Sequence, residues 1–248
     1  MTLKARLLPL LVLLLLAFPV ASPAFSEPDN GVYAGLLDRH NKKGVLDYKG
    51  LKSEEALLDS YLAVLARVKP DELPRDSQLA FYINLYNAST IKLVLSEYPG
   101  IKSIKDVGGF FGPWKKKFVR LGGKTVTLGH IEHQILRPRF ADPRVHFALV
   151  CASRGCPPLL GAPYEGSLVN RQLDEVVTGA VNDPARTYVK DGRIYVSRIF
   201  KWFSGDFGKD PIGFVERYAR GHLKEAIAGS RKDLKIEYLE YDWSLNGR

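Results

Sequence analysis

The stretch His146-Phe147-Ala148-Leu149-Val150-Cys151-Ala152-Ser153-Arg154-Gly155-Cys156-Pro157-Pro158 carries both cysteines of the chain and its richest chemistry. An apolar run that ends in small residues, a thiol, an arginine, a glycine and two prolines reads as a sharply bent loop, a common seat for catalytic side chains. Beside Arg154, a helix N-terminus or a protonated imidazole, the Cys151 thiol would lose its proton more easily and become a nucleophile. His146, His133 and His130 are the candidate bases. In an oxidising compartment Cys151 and Cys156 could instead close a short structural disulfide, worth the low end of about 2–4 kcal/mol. Both readings stay open at this point.

The segment Gly129-His130-Ile131-Glu132-His133-Gln134-Ile135-Leu136-Arg137 places two imidazoles three apart on a helix. Metal ligands share a face in this way, but no third ligand is evident and the stronger two-histidine zinc motif uses a spacing of four, so neither a metal nor a cofactor is expected. Glu132 is expected to pair with Arg137, Arg139 or Arg144, or to orient a base. In Phe81-Tyr82-Ile83-Asn84-Leu85-Tyr86-Asn87-Ala88 two amides sit in an otherwise apolar helix. An amide buried without hydrogen bonds costs about 1–3 kcal/mol, so Asn87 must either tie a loop to the core or orient a catalytic group.

Helical spacing of Leu57, Leu58, Tyr61, Leu62 and Leu65 marks a buried stripe, and the helix is expected to start at a Ser53 cap. Residues 76–98 are apolar around nearly every face, which predicts a central buried helix. Further helices are expected over 29–40, 130–136 (ending before Pro138), 168–181 and 212–228, the last broken near Gly221. Hairpins are expected across Gly122-Gly123 and Asp191-Gly192, with extended pieces at 45–48, 145–151 and 234–241. The fold class is thus α+β: one helix-rich domain with small antiparallel hairpins around a central helix. The aromatic pieces Phe200-Lys201-Trp202-Phe203 and Tyr241-Asp242-Trp243 read as core caps. Lys115 to Lys117, between Trp114 and Phe118, read as a solvated hairpin edge, not a nucleic-acid stacking face.

The chain has 248 residues, a formal net charge of +9 and 46% hydrophobic residues, which excludes a disordered chain and leaves room for one substantial core. Lys4 and Arg6, the apolar run from Leu7 to Val20, and the small residues up to Ser26 have the layout of a secretory signal peptide over residues 1–24, cut after Ala24 or Ser26. The apolar run is about 14 residues, short of the roughly 20 of a spanning helix. The expected product is a single domain over 25–248, periplasmic or secreted and monomeric. Its basic balance favours anionic envelope polymers or lipid head groups as partners over nucleic acid.

Taken in order, Tyr82-Ile83-Asn84-Leu85-Tyr86-Asn87-Ala88, Ile131-Glu132-His133 with Leu136-Arg137, His146-Phe147-Ala148-Leu149 with Cys151 and Cys156-Pro157, and Tyr241-Asp242-Trp243-Ser244-Leu245-Asn246 resemble the DUF547 family. The likeness spans about 77–246. The one departure is Tyr82, where the family pattern leads one to expect Trp. The resemblance implies no established activity; bacterial members tend to look exported, and plant relatives join the domain to leucine-zipper, glutaredoxin-like or DEP modules. From the residues themselves, the leading expectation is a thiol-dependent envelope enzyme. In it Cys151 attacks an acyl or amide carbonyl, His146 or His133 acts as base, and Asn87 or Glu132 orients that base. The competing expectation is a non-enzymatic binding or scaffold module with a Cys151–Cys156 bridge.

Overall fold

The computed structural model describes residues 27–109 and 112–248. The expected signal peptide and both cleavage points lie outside the described residues, none of whose helices is long and apolar enough to cross a membrane. The described residues begin with α1 (Gly31–His40), the minimal hairpin β1 (Asn41–Lys42) and β2 (Val45–Leu46), α2 (Tyr48–Ser53) and α3 (Glu55–Arg67). Then come α4 (Arg75–Leu95), the hairpin β3 (Val119–Leu121) and β4 (Lys124–Val126), and the short α5 (Leu128–His130). A π-helical turn, Ile131–Leu136, leads into α6 (Arg137–Phe140). The second half holds α7 (Val145–Ala148), α8 (Val169–Val181), β5 (Tyr188–Lys190), β6 (Arg193–Val196), α9 (Ile199–Trp202), α10 (Pro211–Tyr218), α11 (Gly221–Ser230) and β7 (Lys235–Tyr238). The α+β expectation is borne out, with one addition: β7 joins β6 in parallel, reached over the crossover formed by α9 to α11.

Around α4 the first apolar cluster gathers Leu36, Tyr48, Leu58, Tyr61, Leu65, Ile83, Leu128 and Leu136. A second cluster packs Phe147, Phe200, Phe207, Phe214, Val215 and Ile227 beneath the three-stranded sheet. α8 spans both: Val169 and Leu173 belong to the first, Val177 and Val181 to the second. α7 does the same within four residues, because Val145 and Ala148 face one cluster while Phe147 faces the other. The thiol segment therefore begins at the seam between two cores.

Both amides of α4 make a reciprocal pair of hydrogen bonds with a distant backbone. Asn84 Nδ2 donates to the Tyr164 carbonyl at 2.7 Å and its Oδ1 accepts from the Tyr164 N–H at 2.8 Å. One turn on, Asn87 Nδ2 donates to the Ala148 carbonyl and its Oδ1 accepts from the Val150 N–H, both at 2.9 Å. Each side chain thus stands in for a neighbouring strand and satisfies polar groups that burial would otherwise leave unpaired.

Four local expectations need correction. Residues 145–151 do not form a strand: all four residues of α7 are buried, so no period separates strand from helix, and the turn is started by Asp142, whose carboxylate accepts from the Arg144 N–H at 2.9 Å. Ser53 caps nothing; Asp47 caps α2 by accepting from Gly50 N, while Ser53 Oγ donates back to the Gly50 carbonyl. Leu57 is 42% exposed, because the buried face of α3 is set by Leu58, Tyr61 and Leu65. Helix also continues through Pro138, whose ring would collide with a carbonyl one turn back in a regular helix; the wider π turn ahead of it, closed by Arg137 N–H to the Glu132 carbonyl, shifts that carbonyl away.

Replacing Asn84 by Ala strands the Tyr164 N–H and carbonyl in the core, so N84A should lose about 2–4 kcal/mol in urea unfolding. A loss under about 0.5 kcal/mol would show that water or another side chain takes over both bonds.

Candidate functional site

At the seam lies a cleft of about 240 Å³ lined by Tyr86, Glu132, His133, His146, Cys151 and Cys156 on one side. Trp202, Phe203, Tyr241 and Trp243 close the other side, and all three tryptophans of the chain, Trp114 included, line it. Four of the five predicted site residues therefore share one cavity: Cys151, His146, His133 and Glu132. The fifth, Asn87, is buried away from the lining and acts on the site through the backbone it clasps at Ala148 and Val150. His130 is exposed and lies off the cleft lining.

The loop that carries the thiol is held from the chain's C-terminus. Asn246 N–H donates to the Ala152 carbonyl, Arg154 N–H to Ser244 and Gly155 N–H to Asp242, and Ser153 pairs with Leu245 in an isolated bridge. Ala152, buried beside the thiol, has φ +57, a left-handed conformation that costs a non-glycine residue about 1 kcal/mol or more and that persists only where the surroundings impose it. Gly155 is required for closeness: a Cβ there would fall 2.9 Å from the Tyr241 ring.

That approach sets the Tyr241 hydroxyl 3.1 Å from the Cys151 sulfur, with Ser153 Oγ 3.0 Å from the same sulfur and donating to Tyr241 at 3.2 Å. Hydrogen bonds from Cys156, Ser153 and Tyr241 outweigh burial and lower the Cys151 pKa to about 7. Its neighbour moves the other way, with Cys156 pushed up by the adjoining Cys151 and by burial. Both cysteines are free thiols, 3.2 Å apart, against about 2.05 Å for an S–S bond. The Cys156 sulfur also accepts from the Cys151 N–H at 3.1 Å and lies 3.5 Å from the Leu149 carbonyl. The bridge of the scaffold reading is not present in this structure.

No imidazole is a hydrogen-bond partner of the Cys151 sulfur among the described residues; its partners are a tyrosine, a serine and a thiol. His146 instead bonds through Nε2 to Asp206 at 2.8 Å and stacks on Phe203 with ring centroids 3.9 Å apart. Asp206 is gripped by Arg137 through two bonds, 2.6 and 2.9 Å, and the guanidinium holds its carboxyl down at about 2. Burial lowers His146 to about 4 against the pull of Asp206, so the ring is neutral at pH 7. With Nε2–H donated to the carboxylate, Nδ1 is the nitrogen that can take a proton. At the cleft's edge His133 meets Arg137 through Nδ1, 3.2 Å from Nη1.

Glu132 pairs with none of the three arginines expected. Its carboxylate accepts from the Tyr86 hydroxyl at 3.3 Å, which in turn accepts from Trp114 Nε1 at 3.1 Å. Burial raises its pKa, against the opposing charges of His133 and Arg137. The π turn presents Glu132 and His133 to the cleft in succession, a placement such turns often serve at functional sites. Among the described residues no group of three or more His, Cys, Asp or Glu side chains is arranged to hold a metal. Tyr241, Ser153 and Asp206 are the site residues that sequence reasoning missed. Tyr241 opens the terminal aromatic motif and Ser153 follows the thiol by two, whereas nothing around Asp206 marks it.

Two outcomes follow. Iodoacetamide labelling of Cys151, followed by mass spectrometry, should rise with a midpoint near pH 7, and C156A should move that midpoint up toward the ordinary thiol value of about 8.5 by removing the strongest donor to the thiolate. Between about pH 6.5 and 4 the unfolded chain binds a proton that folded His146 refuses, so stability falls as pH falls through that window, by up to about 3 kcal/mol. In H146Q the slope of unfolding free energy against pH should flatten there, and an unchanged slope contradicts the assignment.

Comparison with known proteins agrees with the motifs. Residues 70–178 match the model of a family described as "Protein of unknown function, DUF547". No curated protein and no solved structure matches the chain. The matched stretch holds both α4 amides, Glu132, His133, His146, Cys151 and Cys156, while from beyond it Trp202, Phe203, Tyr241 and Trp243 complete the cleft lining and Asp206 holds His146. Over residues 70–178 the chain is similar to the DUF547 family.

Proposed function

We propose that this protein is an exported, thiol-dependent enzyme that cleaves or transfers an acyl or amide group, with Cys151 as nucleophile. One observation carries the reading: a thiol with a pKa lowered to about 7 opens into the same cleft as a neutral imidazole already held by a carboxylate. In this scheme the Cys151 thiolate attacks the carbonyl carbon and a C–S bond forms. The C–O or C–N bond then breaks, its leaving group taking a proton from solvent water. Water or another hydroxyl acceptor releases the acyl group by attack on the thioester carbon, the C–S bond breaking to restore the thiolate while His146 Nδ1 accepts the proton of the attacking hydroxyl and returns it to solvent. Asp206 orients His146 and stabilises its charged form; it is a positioning residue, as Asn87 is for the thiol segment. Tyr241 and Ser153 hold the sulfur in its ionised form between turnovers.

The aromatic wall suits a substrate with an apolar or planar portion, since Trp202, Tyr241 and Trp243 form a contiguous group with ring centroids 4.8, 5.7 and 4.6 Å apart. Location in the periplasm or outside the cell belongs to the same proposal, on the strength of the N-terminal pattern.

Incubation with p-nitrophenyl esters and acyl thioesters should leave an acyl adduct on Cys151, visible in the intact mass and absent in C151S. H146Q should slow release of the adduct by about a hundredfold or more while leaving alkylation by iodoacetamide within a few fold, which separates a lost base from a lost fold. Absence of any adduct, or the same adduct in C151S, removes the nucleophile from the account.

A further inference from the structure

A second, larger cavity of about 600 Å³ lies between α3, α4 and the β3–β4 hairpin and shares no lining residue with the thiol cleft. This volume is within the roughly 300–1,000 Å³ of small-molecule sites. Its floor is apolar: Leu62 and Ala66 come from α3, Leu85 and Leu93 from α4, and Phe118 from the strand leading into the hairpin. The segment leading into β3 supplies part of the lining: Lys116, Phe118, Val119 and Arg120 border the cavity, whereas Lys115 and Lys117 do not and are exposed. The lysine run is thus divided between a solvent face and a cavity face.

Four cations border the trough: Arg67, Lys92, Lys116 and Arg120. Lys92 is neutralised by Glu55 and by Asp59, the one acid in the lining. Lys116 reaches Glu97 only at 4.0 Å, Arg120 bonds to the Thr125 hydroxyl, and Arg67 makes no ion pair among the described residues. An apolar trough with an excess of positive charge at its edge is complementary to one kind of molecule. We propose that this trough binds a single-chain anionic amphiphile, its alkyl chain along Leu62, Ala66 and Phe118 and its carboxylate or phosphate at Arg67 and Arg120. Methylenes would replace water over the apolar floor, and the head group would remain at the rim, where its own solvation is largely kept. This assignment is independent of the thiol chemistry, and it gives the attraction for anionic lipid inferred from net charge a definite address.

The test uses the purified full chain and a dansylated undecanoic acid as fluorescent probe. Palmitate should displace the probe. Decanoate should do so more weakly, by about threefold or more for each methylene lost from the buried part of the chain. Hexadecanol, with the chain but not the charge, should be weaker than palmitate by about fivefold or more. A66W fills the trough and should abolish probe binding, while the surface double variant R67E/R120E should weaken it at least about tenfold without altering the thermal melt. No probe signal, displacement that ignores chain length, or unchanged binding in R67E/R120E overturns the proposal. Loss of probe on alkylating Cys151 does so as well, because it moves the ligand to the thiol cleft.

Discussion

The two hydrogen bonds between the Asn87 amide and the backbone at Ala148 and Val150 are the constraint on which the site rests. They join the long, largely buried α4 to the chain one residue before the thiol. Without them α7 would end in a stretch with a carbonyl and an N–H buried and unpaired, and the chain would have no reason to leave the helix at Leu149 in the direction it does. Given that exit, Ala152 is forced into a left-handed turn, the C-terminal segment can pair along 152–155, and Tyr241 reaches the sulfur. An amide is suited to the task because it offers donor and acceptor in one plane, as a peptide group does.

The same geometry explains why the cleft forms at all. Two aromatic and aliphatic cores meet edge to edge, and the side chains at their junction cannot be apolar on every side. The first core contributes Tyr86, Glu132 and Cys151 there; the second contributes Phe203 and Tyr241, which pack against it only in part. Charge is arranged in two separate nests across this seam. Arg137, Asp206 and His146 form one, in which a depressed carboxylate keeps a neutral ring in a single tautomer; Cys151, Ser153 and Tyr241 form the other. A substrate that entered the cleft would sit between them.

Much of this was legible in the residues, and the limits have physical causes. The central helix was readable because apolar residues on all faces admit no surface placement, and the need of Asn84 and Asn87 for partners followed from the cost of burying an amide. That Cys151, His133, His146 and Glu132 meet could be suspected from their nearness along the chain. Asp206, sixty residues on from His146, could not, because a single carboxylate in a glycine-flanked turn resembles any solvated loop. Tyr241 reads in sequence as a core cap, since an aromatic-rich end usually is one; what makes it a partner of the sulfur is the absence of a side chain at Gly155, a property visible only in three dimensions. The strand expected over 145–151 failed for a different reason: full burial erases the periodicity that separates helix from strand.

If Asn87 sets the geometry that lowers the Cys151 pKa, then removing its amide should be felt at the sulfur and not only in stability. The direct measurement is the pH dependence of Cys151 alkylation in N87A, made under conditions where the circular dichroism shows the variant folded. The account predicts a midpoint displaced from near pH 7 toward the ordinary thiol value of about 8.5, together with faster hydrogen exchange at the Val150 amide. A folded N87A protein whose midpoint stays near pH 7 would contradict it.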